Sequence, residues 1–247
     1  MSQPRDEPME SELNASASQE VRPLDASPGR FNPPVLYITT MLWGIAVVLG
    51  LGSLWVYATR AGAAGEIAAA WPSESSETYD SNRPTLILFA HPKCPCTRAT
   101  IDELAWIMTR CRGRVTCRVL FMQPEAESEA WTQTATWTAA AQISDVEVSV
   151  DHANHEATAF GAETSGHAML YDPSGRLLFE GGITPSRGHR GDNLGCTRIV
   201  KLVRNWATAV AATEPAELVQ STDVFGCPLS NSSSAIMVEE GVMNEES

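Results

Sequence analysis

The chain has 247 residues, enough for one sizeable domain with extensions. Its formal net charge of −13 and the lack of a basic run argue against a nucleic-acid partner. Six cysteines are too few for a disulfide-stapled scaffold of this length, but they suffice for one redox pair with additional thiols.

The N-terminal part of the chain divides into a polar and an apolar segment. Residues 1–34 are rich in Ser, Glu, Pro and Asp, a composition that predicts a disordered tail. Residues 35–58 carry no charge and are numerous enough to cross a bilayer as one helix. A buried soluble helix and a cleaved signal peptide are the alternatives. We favour an uncleaved anchor because the preceding segment is long and acidic.

The arginines around this segment predict its orientation. Arg22 and Arg30 precede it closely, whereas only Arg60 follows it closely. The positive-inside rule then places the N-terminus in the cytoplasm. We therefore expect a single-pass protein of the cell membrane, held through residues 35–58, with an extracytoplasmic domain in a compartment that permits disulfides.

The remaining chain is predicted to hold one domain. Residues 59–83 are rich in Ala, Gly, Ser and Glu and are interpreted as a linker. The domain is assigned to residues 84–211, and residues 212–247 form a C-terminal tail that contains the apolar segment VFGCPL.

Apolar periodicity predicts alternating strands and helices in the domain. The run LILFA at residues 86–90 is typical of a strand buried on both faces. Further elements follow in order: a helix with a stripe at Ile101, Leu104, Ala105 and Met108, a strand at 115–121, a helix within 126–143, a strand at 146–150, a short helix at 155–161, a hairpin at 168–171 and 176–180, and a closing helix at 199–210.

Two cysteines lie between the first strand and the first helix of the domain. They are Cys94 and Cys96, separated by Pro95. Thr100 and Glu103 form a capping-box pattern that starts the helix at Thr100 and leaves both cysteines in the loop, with Thr97 as a competing cap. A disulfide closing so small a ring is expected to be strained and easily reduced.

The order of elements resembles the thioredoxin fold, an α/β domain with a central mixed sheet flanked by helices, here behind one transmembrane helix. The chain is similar to the membrane-anchored TlpA and ResA type and to the peroxiredoxins. Over roughly residues 84–230 it also resembles a bacterial group labelled RedB, through HPKCPCTRATIDEL, TSGHAMLYDPSGRLLFEGGITPSRGHRGDN and VFGCPL. The thioredoxin motif has two residues between its cysteines, whereas this chain has only Pro95.

The resemblance implies a thiol-disulfide oxidoreductase that acts on an unknown redox partner protein and needs no cofactor. Cys94 is expected to be the attacking thiolate, because it is nearer the strand end and more exposed, and Cys96 to resolve the mixed disulfide. Cys196 and Cys227 are candidate extra thiols, either of which could resolve the disulfide or bind a metal. The remaining pair, Cys111 and Cys117, is assigned to packing or to a structural disulfide.

Several other residues are expected to line the site or tune a thiol pKa. His91 lies three residues before Cys94 and could favour its thiolate. Thioredoxins place a cis-proline facing the cysteines where this chain has Ser165, Gly166 and His167, and His167 is a candidate for proton transfer. The remaining candidates are the loop residues Arg187 and His189, which could supply positive charge, and Pro95 itself.

Two other functions stay open at this stage. One is a copper protein similar in concept to the Sco proteins, in which Cys94 and Cys96 with His91 or His167 hold the ion. The other is a tethered interaction module without chemistry. Metal content after purification separates the copper protein from the redox protein, and an unaltered cellular phenotype of Cys94→Ser would favour the interaction module.

Overall fold

The computed structural model describes residues 33–63, 65–212 and 219–229. The predicted disordered tail and most of the C-terminal tail lie outside these residues. The helices are α1 (Pro33–Thr59), α2 (Thr97–Arg110), α3 (Ala135–Ala141), α4 (His155–Phe160) and α5 (Leu194–Ala212). The strands are β1 (Thr85–Ala90), β2 (Thr116–Gln123), β3 (Val146–His152), β4 (His167–Tyr171), β5 (Leu177–Gly182) and β6 (Gln220–Thr222).

Helix α1 contains the predicted membrane segment. It has 27 residues, none of them charged and none of them buried. Its length and composition are sufficient to cross a membrane, and a signal sequence satisfies the same criteria.

The domain is built on one mixed sheet with the strand order β3-β2-β1-β4-β5-β6. Strands β1, β2 and β3 are parallel, β4 and β5 are antiparallel to their predecessors in this order, and β6 pairs parallel with β5. This arrangement confirms the expected thioredoxin-like fold. Strand β6 was not predicted, because a strand of three residues is too short to give a periodic pattern.

Strand β1 lies in the middle of the sheet, and both of its faces are buried. Leu86 and Leu88 pack in the cluster that contains the buried residues of α2 and α5. On the opposite face, Ile87 and Phe89 pack with Phe160 of α4. Side chains alternate between the faces of a strand, so an uninterrupted apolar run suits a strand covered by helices on both sides.

Helix α2 begins three residues earlier than the capping box predicts, at Thr97. Glu103 does not cap the helix, because its carboxylate accepts a hydrogen bond of 2.7 Å from the Gly191 N–H. Cys96 takes the N-cap position with helical backbone angles. A tertiary contact therefore overrides a local capping pattern, and Cys96 belongs to the helix start rather than to a free loop.

The predicted helix within residues 126–143 is also shorter than expected. A 3₁₀ turn at Glu129–Trp131 precedes α3. The Thr134 hydroxyl accepts a hydrogen bond from the Trp137 N–H and caps α3. An N-cap at Thr134 starts a new helix, so the segment cannot continue as one.

Several residues of the predicted linker pack against the domain. Trp71 contacts the rings of Phe160 and Tyr171, and Ala70 forms a β-bridge with Arg176. The carboxylate of Glu156 accepts hydrogen bonds from the hydroxyls of the preceding serines at positions 75 and 76. The packed domain therefore begins well before residue 84, since these contacts bury aromatic and polar groups of the segment.

Candidate active site

Cys94 lies in the turn that connects the end of β1 to the start of α2. Its N–H donates to the His91 carbonyl oxygen at 3.1 Å, and its own carbonyl accepts from the Thr97 N–H at 3.1 Å. These bonds hold the sulfur beside the N-terminus of α2. That end of a helix carries unpaired N–H groups and a partial positive charge, which favour a thiolate.

The sulfur atom of Cys94 contacts Cys227 of the C-terminal arm, a name we use for residues 219–229. The two Sγ atoms lie 2.9 Å apart, although the residues are separated by 133 positions in the chain. Cys94 is only 4% exposed, whereas Cys96 is half-buried. The expectation that Cys94 is the more exposed thiol is therefore wrong, because the arm lies against it.

The surroundings of Cys94 favour its ionised form. Burial alone would raise its pKa, but hydrogen bonds from the Cys227 thiol and from the N–H groups of Cys227, Cys96 and Thr97 outweigh burial. The pKa of Cys94 consequently lies below that of an ordinary thiol.

The other two thiols of the cluster are shifted in the opposite direction. Burial, followed by the negative charge on Cys94, raises the pKa of Cys96. Burial and the neighbouring Cys94 also raise the pKa of Cys227 to about 12, and the positive charge of Arg187 partly opposes both shifts. Of the three thiols, Cys94 is therefore the one that ionises most readily.

The C-terminal arm is held by backbone hydrogen bonds. The Ser165 N–H donates to the Cys227 carbonyl at 2.8 Å, and the Leu229 N–H donates to the Glu163 carbonyl at 2.9 Å. A β-carbon added at Gly226 would lie 1.8 Å from the Ser165 carbonyl oxygen, so only glycine permits this approach. The apolar segment VFGCPL thus docks on the turn segment that leads into β4.

Ser165 connects the strand end, the helix start and the arm. Its hydroxyl accepts a hydrogen bond of 2.9 Å from the His91 N–H and lies 3.2 Å from the Thr97 hydroxyl. Gly166 follows with φ +92°, and its N–H donates to the Phe89 carbonyl at 2.7 Å. Both residues therefore lie at the cysteines, where the sequence placed them.

The two candidate histidines have other partners. The Nδ1 atom of His91 accepts from the Lys93 N–H at 3.1 Å, and its ring packs edge-on against Trp131. Burial, followed by the charge of Lys93, lowers the pKa of His91, which favours the neutral ring. His167 is fully buried with its Nε2 atom 3.0 Å from the Glu180 carboxylate. The expected cationic tuning by His91 has no support in this geometry.

The two loop candidates are placed differently. The guanidinium of Arg187 donates to the Gly226 carbonyl and faces Cys96 and Cys227 closely enough to lower their pKa values. His189 is exposed, and its Nδ1 atom lies 2.8 Å from the Arg187 carbonyl. Arg187 therefore supplies the positive charge at the thiols, and Pro95 is exposed beside them.

The remaining three cysteines are free thiols away from this cluster. Cys111 and Cys117 lie in the core between the sheet and helices α2 and α5, which favours packing over the structural disulfide. Burial raises the pKa of both, and it raises the pKa of Cys196 to about 12. Cys196 contacts Asn193 and Glu103, so it is not an extra thiol of the site.

In the part of the chain that the structure describes, no group of three or more His, Cys, Asp or Glu side chains is arranged to hold a metal ion. The copper site with Cys94, Cys96 and His91 stays a prediction that metal analysis of the purified protein decides. The interaction module likewise stays a prediction.

Sequence reasoning missed the part played by Thr97. Its hydroxyl donates to the His91 carbonyl at 2.9 Å, which ties the first helical residue to the end of β1. The sequence did mark Thr97 as a candidate helix cap. A capping hydroxyl hydrogen-bonds to its own helix, whereas the Thr97 hydroxyl hydrogen-bonds to the loop that precedes the helix. The sequence also assigned Cys96 as the partner of Cys94, with Cys196 and Cys227 only as alternatives, whereas the thiol in contact with Cys94 is that of Cys227.

No family model and no curated protein matches the chain. Solved structures do resemble it. An uncharacterised conserved protein from Geobacillus kaustophilus superimposes with a TM-score of 0.50 and 15% identity, over 70% of this chain and 93% of that chain. A hypothetical protein from Sinorhizobium meliloti 1021 gives a TM-score of 0.43 and 16% identity, over 70% and 96%. A putative thioredoxin from Neisseria meningitidis gives 0.36 and 16%, over 53% and 77%. At these identities the similarity concerns the fold alone.

Proposed function

Because the domain has a thioredoxin-like fold, we propose that the protein is a thiol-disulfide oxidoreductase in which Cys94 attacks a disulfide of a partner protein. One observation carries this proposal: the Cys94 sulfur lies at the N-terminus of α2, 2.9 Å from the Cys227 sulfur, in surroundings that lower its pKa. Such a sulfur is ionised at a lower pH than an ordinary thiol, and the thiolate is the nucleophile in disulfide exchange.

Cys96 is the second thiol of the Cys-Pro-Cys pair. It occupies the N-cap of α2, and its raised pKa keeps it protonated while Cys94 is a thiolate. Opposite pKa shifts give the two neighbouring thiols different roles. Cys94, with the lowered pKa, can attack a disulfide, while Cys96, with the raised pKa, stays protonated until a later step. The proposed function needs neither a metal nor an organic cofactor, because the two electrons of a disulfide exchange come from Cys94 and a second thiol.

We further propose that helix α1 anchors the protein in the cell membrane and that the domain lies outside the cytoplasm. The support is the uncharged length of α1 and the arginine distribution around it. Disulfides persist in that compartment, so a protein that reduces or forms them has substrates there.

The test measures reaction of the reduced full-length protein, purified in detergent, with oxidised glutathione as a model disulfide. We expect wild type to consume the disulfide and Cys94→Ser to lose the reaction. Cys196→Ser is the matched control, since its buried thiol hydrogen-bonds to Asn193 and Glu103, contacts that a hydroxyl can also make. Reaction of Cys94→Ser at the wild-type rate would reject the proposal.

The pH dependence of the same reaction gives an independent test. The rate should rise with the fraction of Cys94 thiolate and reach half its maximum below the ordinary thiol value of about 8.5. A midpoint above that value would contradict the contribution of the backbone donors.

A further inference from the structure

The contact between Cys94 and Cys227 lies outside the Cys-Pro-Cys pair. We propose that Cys227 is the resolving thiol of Cys94, carried on a C-terminal arm that opens to admit a disulfide and closes to release the product. This inference rests on the proposed function, in which Cys94 attacks first.

The arm brings its thiol to Cys94 with no rearrangement of the helix start. The two sulfurs lie 2.9 Å apart, and the Cys227 carbonyl is fixed by the Ser165 N–H. Cys96 is less well placed to close a ring with Cys94, because its carbonyl accepts the Thr100 N–H and its backbone is helical. A disulfide between residues i and i+2 requires non-helical backbone at that point.

Access to Cys94 requires movement of the arm. Cys94 is 4% exposed, so an incoming disulfide cannot reach its sulfur along the line of the breaking bond while Cys227 is in contact. The arm is held by the three residues of β6, by backbone hydrogen bonds at Cys227 and Leu229, and by the buried side chains of Val224 and Leu229. A short segment at the edge of a sheet opens at a smaller free-energy cost than the central strands.

The reaction balances in two exchange steps. The Cys94 thiolate attacks a substrate disulfide RSSR, a Cys94–SR bond forms, the S–S bond breaks, and the first RS⁻ leaves and takes a proton from water. Cys227 then attacks the Cys94 sulfur, the Cys94–Cys227 bond forms, the Cys94–SR bond breaks, and the second RS⁻ accepts the proton that Cys227 gives up. The substrate gains two electrons, and the two thiols lose them.

The charges at the site favour this order. After burial, the largest causes of the high pKa of Cys227 are its hydrogen bond to Cys94 and the negative charge on Cys94. Both disappear when Cys94 is held in a mixed disulfide, whereas the attraction of Arg187 remains. Cys227 therefore becomes more acidic at the stage when it must attack.

The first experiment follows the mixed disulfide of the reduced full-length protein with oxidised glutathione, by rapid acid quenching and mass spectrometry. Cys227→Ser should release glutathione at least about tenfold more slowly than wild type, because a thiol at an effective concentration in the millimolar range or above is removed. Cys96→Ser tests the alternative resolving thiol, and Cys196→Ser, whose thiol lies away from the site against Asn193 and Glu103, is the control that should release glutathione at close to the wild-type rate. Peptide mapping of oxidised wild type should show a Cys94–Cys227 link.

The second experiment displaces the arm without removing a thiol. In Gly226→Ala the new β-carbon clashes with the Ser165 carbonyl, so the arm cannot dock as it does in wild type. Alkylation of Cys94 should then accelerate by a factor of at least about 5, which corresponds to roughly 1 kcal/mol of lost docking, while glutathione release slows. Gly50→Ala in α1 is the control, since no atom lies within 4 Å of its added β-carbon and its φ is not in the left-handed region.

The outcomes separate the two proposals. A Cys94–Cys96 link in oxidised wild type, with fast release in Cys227→Ser and slow release in Cys96→Ser, would overturn the role of Cys227 and leave the proposed function intact. Failure of Cys94 to form any mixed disulfide would instead reject the proposed function. Unchanged alkylation of Cys94 in Gly226→Ala would overturn the opening of the arm.

Discussion

Trp71 provides the sharpest test of where the domain begins, and Trp71→Ala is the perturbation. Its ring lies edge-on to Phe160 and Tyr171 at centroid distances of 4.9 and 5.1 Å and tilted to Tyr79 at 5.5 Å. Its indole N–H donates to the Glu77 carbonyl at 3.1 Å. The side chain thus closes one end of the cluster between the sheet and α4.

The expected loss follows from these contacts. Removing a buried Trp costs about 3–5 kcal/mol. Trp71 is half-buried, so the lower end of that range applies, and we expect about 3 kcal/mol. The aromatic pairs, at about 0.5–1.5 kcal/mol each, and one hydrogen bond of about 1 kcal/mol account for most of it.

Urea unfolding followed by circular dichroism measures this loss on a fragment that starts at residue 60. With a urea dependence of about 2 kcal/mol per molar, the midpoint should fall by about 1.5 M. Trp106→Ala is the matched control. Trp106 is 38% exposed and stacks only under Arg110 at 3.6 Å, so its removal should cost less than about 1 kcal/mol.

Equal losses for the two tryptophan variants would refute the reasoning. The segment before residue 84 would then be the linker that its composition indicates. A fragment that starts at residue 84 gives a second check, since it lacks Trp71 altogether and should be less stable than the fragment from residue 60 by at least the loss measured for Trp71→Ala.

Three further predictions concern the site, a turn and the membrane. Ser165→Ala should destabilise the protein by about 1–3 kcal/mol in urea unfolding, because it leaves the half-buried His91 N–H without its acceptor. A loss below about 0.5 kcal/mol would contradict the contribution of this bond. Burial would raise the pKa of Asp172, but hydrogen bonds from Ser174 and Arg176 outweigh it and lower the pKa. The stabilisation by the Asp172 carboxylate is therefore complete above the unfolded pKa of about 3.9 and is lost as the pH falls through the folded pKa. The stability difference between wild type and Asp172→Asn should consequently shrink from pH 7 to pH 3. A difference that stays constant over this range would contradict the lowered pKa of Asp172. Reporter fusions after residue 70 should be active only outside the cytoplasm, and cytoplasmic activity would reverse the orientation.

The sequence by itself determined the strand and helix order and the position of Cys94. A run such as LILFA predicts a doubly buried strand because both faces of the strand need apolar side chains. A cysteine directly after that strand and before an apolar helical stripe predicts a thiol at a helix N-terminus. Both inferences depend on neighbours in the chain, and the structure has β1 and α2 where the pattern placed them, within three residues.

Only the tertiary structure decided the partner of Cys94 and the start of the domain. Cys227 reaches Cys94 across 133 positions of the chain, and Trp71 contacts Phe160, which is 160 − 71 = 89 positions away. The capping box at Thr100 failed for the same reason, since Glu103 bonds to Gly191 instead. Local composition cannot specify such contacts, because they depend on which distant segments the fold brings together and on the free energy gained when they pack.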